Sequence, residues 1–509
     1  MLMGNALSPG SPEELAEFAN LQSRLPDLFR QVFADPLAPR CVVAVPGLSM
    51  DPELLSKIVG GPHYEERQLA MLMLLKLPNT RIVYVSSTPI DAAIIDYYLN
   101  LLPGIPAMHA RRRLTMLSAC DGSPTSLTEK ILDRPRLLER IRAAIGDPAI
   151  AHLSCFNVTE LERTLAVRLG IPLYGCDPRL LYLGGKSGSR RCFREAGIEL
   201  PAGIEDLKSA EDLVRALAEL KHRDPVLRRA VVKLNDGFSG ECNAVFSFGG
   251  CPAGDPTRWV RKHLPLNLAF EACDMRWDHF IEKLGEMGGI VEEWIVGDGP
   301  CSPSVQLRIT PVGDLETIST HDQILGGPSG QVFQGCTFPA NPEYATEINA
   351  LSLQVGEVLR NVGALGRFGV DFVTVRRPEG WRHYAIEINL RKGGTTHTYQ
   401  ALQFLTNGRY DAEAAEFRTP MDQVRAYYAT DNLVNPIYRR LTPADLVDIA
   451  VEHGLHFDQT TQKGVVFNLI GALSEFGKLA VVAIDENVTA AQAMFERTVE
   501  TLDREAASA

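Results

Sequence analysis

Three short runs, CVVAVPG (residues 41–47), RIVYVSS (81–87) and AIAHLSCF (149–156), constrain the first third of this chain more than any other feature. Each has the length of a strand. Each is apolar at consecutive positions, which suits a strand covered on both faces. Longer stretches of helical spacing lie between them, such as the one around YEERQLAMLMLLKL. Strands that alternate with helices pair in parallel through crossovers. Residues ~35–180 should therefore form a doubly wound parallel α/β lobe, with IPLYG (171–175) as a fourth strand. No G-x-G-x-x-G follows these strands, so no dinucleotide site is expected there. Residues 12–34 read as one or two amphipathic helices ahead of the lobe.

The texture changes after residue 181. KSGSRRCFREAGIELP reads as a helix that opens after Lys186 and stops at Gly197, with Pro201 beyond. RRAVVKLNDGFSGECNAVFSF then reads as strand, Gly-rich loop, strand. GIVEEWIVG, SPSVQLRITPVG and FGVDFVTVRRPEGWRHYAIEINL follow as further strands, the last with a hairpin signal at Pro378-Glu379-Gly380. This middle region is antiparallel in character. In the section 411–509, Thr442 and Pro443 open a helix as cap and first helical residue. GVVFNLIGAL and KLAVVAI are apolar runs, and a last helix begins after Thr489.

The chain has 509 residues, enough for three or four domains. The expected divisions are a helical segment at 1–34, the α/β lobe at 35–180, a core at 181–410 and a small α+β section at 411–509. A net charge of −12 argues against a dedicated nucleic-acid binder, which needs a basic surface. The ten cysteines show no C-x-x-C and no zinc spacing, as expected of reduced thiols in the cytosol. The N-terminus has no signal-peptide pattern, and LAMLMLL is too short to span a bilayer. A cytoplasmic protein without membrane or nucleic-acid partners is the expectation.

Four constellations carry chemistry. Lys233 ends a strand and enters a loop containing Gly237, Ser239 and Gly240, which can bring backbone N–H groups to a phosphate. The same pattern also fits an ordinary hairpin with a solvated lysine. Lys186 opens a helix, where a cation opposes the dipole unless an anion is near. Glu292, Glu293, Trp294 and Ile295 combine carboxylates with apolar surface, as an adenine pocket requires, and Asp298 is placed to take ribose hydroxyls. A plain edge strand would look the same. Finally, IEINLRKGGTTH alternates so that Glu387, Asn389 and Arg391 share one strand face. With Asp371 from FGVDF they offer hard oxygen ligands for Mg²⁺ and a cation for a phosphoryl group.

In this order, across about 205 residues, the motifs resemble the ATP-grasp enzymes. SPSVQLRITPVGDLETISTHDQILGG and the tail TDNL…LTPADLVD…GVVFNLIGAL resemble the ATP-grasp peptide ligases of the pheganomycin type. That resemblance implies a parallel α/β domain, an ATP-grasp core and a small C-terminal domain. It implies Lys186 and Lys233 at ATP, residues 237–240 as a flap, Glu292–Ile295 as the adenine hinge, and Asp371, Glu387 and Asn389 as Mg²⁺ ligands. The flap departs from the family's S-G-E-G-N by carrying Cys242. The activity implied is a carboxylate–amine ligase that forms an acyl phosphate, with an amino-acid-like donor and an amino acid or peptide acceptor. Arg391 and Lys233 would offset phosphoryl charge, and Gly393 and Gly394 would supply oxyanion donors. His321 and Asp322 would face the cavity, with His321 at a phosphate or deprotonating the amine. Thr395, Thr396 and His397 would line the acceptor pocket, and Arg308 would bind a substrate carboxylate. Each of these last six also reads as ordinary loop or strand chemistry. An ATP-grasp kinase and a non-catalytic ATP-binding regulator stay open as alternatives. So does the oligomeric state, a homodimer included.

Overall fold

The computed structural model describes residues 7–237, 240, 242–272 and 274–508. Three of the apolar runs become parallel strands, Arg40–Val45, Thr80–Ser86 and Ala151–Cys155, in a sheet with the order 114–118, 80–86, 40–45, 151–155. Two details differ from expectation. IPLYG makes only a single parallel bridge, between Leu153 and Leu173. The outer strand is Leu114–Ser118, half-buried throughout, so its sequence lacks the continuous apolar signal of its neighbours.

The YEERQLAMLMLLKL stretch is a succession of 3₁₀ turns over Gly61–Lys76 instead of an amphipathic helix. Its polar run, Glu65 to Gln68, is buried along with its leucines, so no wet face exists for a 3.6-residue period to follow. Each of these polar groups reaches a distant partner. Glu65 accepts from the Ser87 N–H and hydroxyl, Glu66 accepts from the Gly471 N–H, and Arg67 pairs with Asp431.

Past residue 185 the chain builds two large antiparallel sheets and a two-stranded one, Arg409–Asp411 with Glu416–Arg418. The smaller of the two large sheets has five strands in the order 203–207, 289–293, 229–234, 243–247, 268–270. The larger has nine. Strand Gly366–Arg377 lies between Gly380–Asn389 and Pro303–Ile309, and Leu315–Gly326 and Val332–Phe338 follow. The tail strands then continue the same sheet: Gly335–Phe338 pair with Tyr427–Thr430, and strands Lys478–Asp485 and Gly464–Asn468 follow outward. Thr442 caps the helix Pro443–Glu452 through a reciprocal box with Asp445.

One hydrophobic core runs from Val42 and Tyr84 of the parallel sheet through Phe338 and Tyr427 to Val481. The Tyr98 hydroxyl crosses this junction to the Phe467 carbonyl at 3.0 Å. The first lobe and the tail strands are thus packed on shared apolar surface, at roughly 1.5–3 kcal/mol for each large side chain buried. The residues on Gly61–Lys76 are held against the large sheet as a result.

Burial pushes the Glu65 carboxyl up to about 7, against the opposing effects of Ser87 and Lys130. An unfolded glutamate titrates near ~4.3. Its contribution to stability is therefore whole below that value and is lost as pH rises through about 7. Glu65→Gln is expected to flatten the stability–pH curve across this window by up to ~3 kcal/mol. Denaturant melts at several pH values check this, and parallel curves for the two proteins would refute it.

Candidate active site

A cleft of about 1030 Å³ separates the two large antiparallel sheets. One wall is the smaller sheet, with Lys233 and the run Glu292–Ile295. The other is the large sheet, with Asp371, Glu387 and Asn389. Asp371 stands directly opposite Glu387 in the antiparallel ladder, and Asn389 lies two residues further along that face. Its amide donates to Asp371 at 2.8 Å.

Two like charges placed opposite each other repel, and the surroundings answer that. Burial first, then Glu387, raise the Asp371 carboxyl to about 6. Burial would raise Glu387 too, but Lys186 outweighs it, with help from Arg391 and Lys233, and holds it below its usual range. Lys186 is ion-paired to Glu387. That pair accounts for a lysine at the start of the helix Lys186–Glu195, where the dipole alone disfavours it.

Lys233 pairs with Glu292 at 2.7 Å, and the other oxygen of Glu292 takes Arg190 at 2.6 Å. Glu292 is therefore a buried bridge between two cations, which corrects its assignment to the adenine edge. Glu293 accepts from the Ala202 N–H. Trp294 sits under the Arg229 guanidinium, 4.3 Å from the ring centre. The main-chain groups of Ile295 take part in no hydrogen bond among the described residues, so they remain for a ligand at this edge.

Gly237 lines the cleft. Gly240, at φ +84°, approaches from the flap so closely that a Cβ there would meet the Gln331 carbonyl at 2.4 Å. Asn243 adds a bond to the Gln331 side chain at 3.2 Å. The flap base thus reaches across to the opposite sheet. Cys242 is buried. Ser239 lies outside the described residues.

Five other expectations need correction. His321 lies on the strand Leu315–Gly326, but Phe338 and Tyr427 from the next two strands pack against its ring. The ring is fully buried beside Phe338, with Nε2 on the Tyr427 hydroxyl at 2.7 Å, and burial lowers it to about 3. It is not a base facing the cleft. Arg308 is paired with Glu316, away from the cleft wall. Asp298 is exposed on a short strand opposite Arg376, also off the wall. Thr396 is buried as a capping side chain that accepts from the Gly393 N–H at 2.9 Å, so that N–H is not free for an oxyanion. His397 is buried off the cleft wall as well. Asp322, Gly393, Gly394 and Thr395 do line the cleft; Asp322 accepts from the Tyr344 hydroxyl at 2.7 Å.

Sequence reasoning missed the end of the cleft. Tyr64, Arg67 and Phe156 arrive there from the first lobe, and Asp431 and Lys478 from the tail strands. The available signal was the charged run EERQ inside an otherwise apolar stretch.

Asp371, Glu387 and Asn389 offer hard oxygens, and among the described residues no cluster of three or more His, Cys, Asp or Glu forms a closed metal cage. Two carboxylates with positions left open suit Mg²⁺, which keeps waters or phosphate oxygens in its shell. Glu387→Ala should keep the fold and lower turnover by about 10³-fold or more, the scale of several kcal/mol of charge stabilisation. An active variant, with melting temperature and rate measured together, would remove Glu387 from the metal site.

A family model described as "IQCH-like, ATP-grasp" matches residues 179–248 and 257–413, and one described as "PGM1 C-terminal domain" matches 445–498. L-propargylglycine–L-glutamate ligase of Streptantibioticus cattleyicolor is 31% identical over 84% of this chain and 86% of that protein. IQ motif-containing protein H of Danio rerio is 24% identical over 96% of this chain, which spans only 51% of that protein. Carboxyaminoimidazole ribonucleotide synthase of Aspergillus clavatus shares the fold, with a TM-score of 0.51 at 12% identity over 92% of this chain and 99% of that one. The chain belongs to the ATP-grasp family of ATP-dependent ligases.

Proposed function

We propose that this chain joins the carboxyl group of an amino-acid-like donor to the amine of an amino acid or peptide, at the expense of ATP and with Mg²⁺. The observation that carries this reading is Asp371 facing Glu387 across one strand pair, with Lys186, Lys233 and Arg391 around the same cleft. Such a site gathers several anionic oxygens, as phosphoryl transfer to a carboxylate demands. The relative named for joining L-propargylglycine to L-glutamate supports amino acids on both sides.

Asp371, Glu387 and Asn389 would hold Mg²⁺, which when bound offsets phosphate charge. Lys186 and Lys233 exchange their carboxylate partners for phosphate oxygens. Trp294 and Ile295 present apolar surface and a free backbone edge to the base. A donor carboxylate oxygen takes the γ-phosphoryl group of ATP, giving an acyl phosphate and ADP. The amine then attacks the acyl carbon. The tetrahedral oxyanion is met by the Gly394 N–H, an orphan donor at the start of the helix Gly394–Thr406. Collapse expels phosphate, the nitrogen gives up a proton, and an amide remains. The flap around Gly240 excludes water from the acyl phosphate. The nine described cysteines are free thiols, in keeping with work in the cytoplasm.

Hydroxylamine trapping tests this. ATP, Mg²⁺ and an amino-acid panel should give a hydroxamate and stoichiometric ADP. A phosphorylated product that persists without amine would make the protein a kinase. Nucleotide binding with no ADP across the panel would make it a regulator.

A further inference from the structure

Arg67 is the most unusual cation in the cleft. It comes from the first lobe, outside the ATP-grasp motifs, and is only 2% exposed. Its guanidinium lies over two rings, 4.4 Å from the centre of Tyr64 and 4.9 Å from that of Phe156. Five donors sit on this group. The hydrogen bonds it makes among the described residues are long: 3.4 Å to the Tyr64 carbonyl and 3.3 Å to Asp431. A buried guanidinium so poorly met is suited to an anion that arrives later.

A second, independent observation lies on the neighbouring element. The helix Gly394–Thr406 packs on the segment carrying Arg67. Its Thr395 lines the cleft at 5% exposure, with a hydroxyl that has no partner among the described residues. A buried orphan hydroxyl costs about 1–3 kcal/mol unless a ligand satisfies it.

The arrangement also separates two cations by function. Phe156 is shared, with Arg391 over its ring at 5.9 Å and Arg67 at 4.9 Å. Arg391 is coupled to Glu387 and Asp371, where the donor carboxyl is activated. That carboxyl is consumed in the reaction. Only a substrate that keeps a carboxylate through the reaction needs a second cation beyond the first.

We propose that Arg67 and the Thr395 hydroxyl form a subsite for the carboxylate of the amine substrate, which makes the acceptor an amino acid or a peptide with a free carboxylate near its amine. This rests on the ligase reading above. Asp431 holds Arg67 in place until the acceptor arrives, and Phe156 keeps the acceptor's anion apart from the phosphoryl group.

The test compares acceptors at a fixed donor, namely whichever L-amino acid (L-propargylglycine included) gives a hydroxamate. ADP release is measured with each L-amino acid and with its α-carboxamide. Wild-type enzyme should prefer the best acid over its amide by about 30-fold or more in kcat/KM. Arg67→Gln should raise the acceptor KM on the order of 10²-fold and Thr395→Val about 10-fold, each shrinking the acid–amide preference. Donor KM should shift far less than acceptor KM, and Arg67→Lys should restore part of the loss. Should Arg67→Gln not fold, the near-isosteric Thr395→Val decides. Equal use of acids and amides, ligation of carboxylate-free amines only, or a KM increase confined to the donor would overturn the subsite. Absence of any hydroxamate would instead overturn the ligase reading beneath it.

Discussion

The site depends on two carboxylates, Asp371 and Glu387, held directly opposite each other on paired strands. Like charges in that position destabilise a sheet, and the protein carries them only because cations surround them. Lys186 pairs with Glu387 from the start of a helix whose dipole would otherwise repel it. Lys233 is held by Glu292 from the neighbouring strand of the same wall, and Arg190 in turn neutralises Glu292. Lys186 and Lys233 thus each have an internal anion before substrates enter. On the proposed reading, metal and triphosphate would replace these two pairs without leaving a bare charge buried.

Reach is the second constraint. The cleft is walled by the two large antiparallel sheets, yet its far end is closed by residues from both ends of the chain. The shared core that runs from Tyr84 to Val481 makes this possible. It brings Arg67 and Asp431, 364 positions apart in the chain, into one ion pair. A cavity assembled this way lets the nucleotide wall stay constant while the substrate end varies with the flanking lobes.

Legibility followed locality. Lys186, Lys233, Asp371, Glu387 and Asn389 stand in short motifs whose order is diagnostic, and strand alternation puts Glu387 and Asn389 on one face, while Arg391, expected on the same strand, lies past its end at Asn389 and still lines the cleft. The strands 40–45, 80–86 and 151–155 were readable because burial on both faces leaves a continuous apolar run. The strand 114–118 was not, since its half-buried edge position leaves no such run. His321 shows the limit well. It sits beside the cleft-lining Asp322, but Phe338 and Tyr427 pack against its ring and bury it. Arg308 is lost to Glu316, its direct partner on the adjacent strand.

By itself the sequence determined the family and the local motifs that resemble it, because Lys, Gly-rich loop, hinge, Asp and Glu-x-Asn-x-Arg are each legible from residues close together in the chain. Tertiary structure alone decided which polar groups reach the cleft and which are buried as struts. Glu292 became a bridge, Thr396 a cap and His321 part of the core, while Arg67, hidden in an apolar stretch, became a cation lining the cleft. Periodicity reports the face of an element. It carries no information on what packs against that face, and packing sets whether a charged group meets a ligand, a partner or nothing at all.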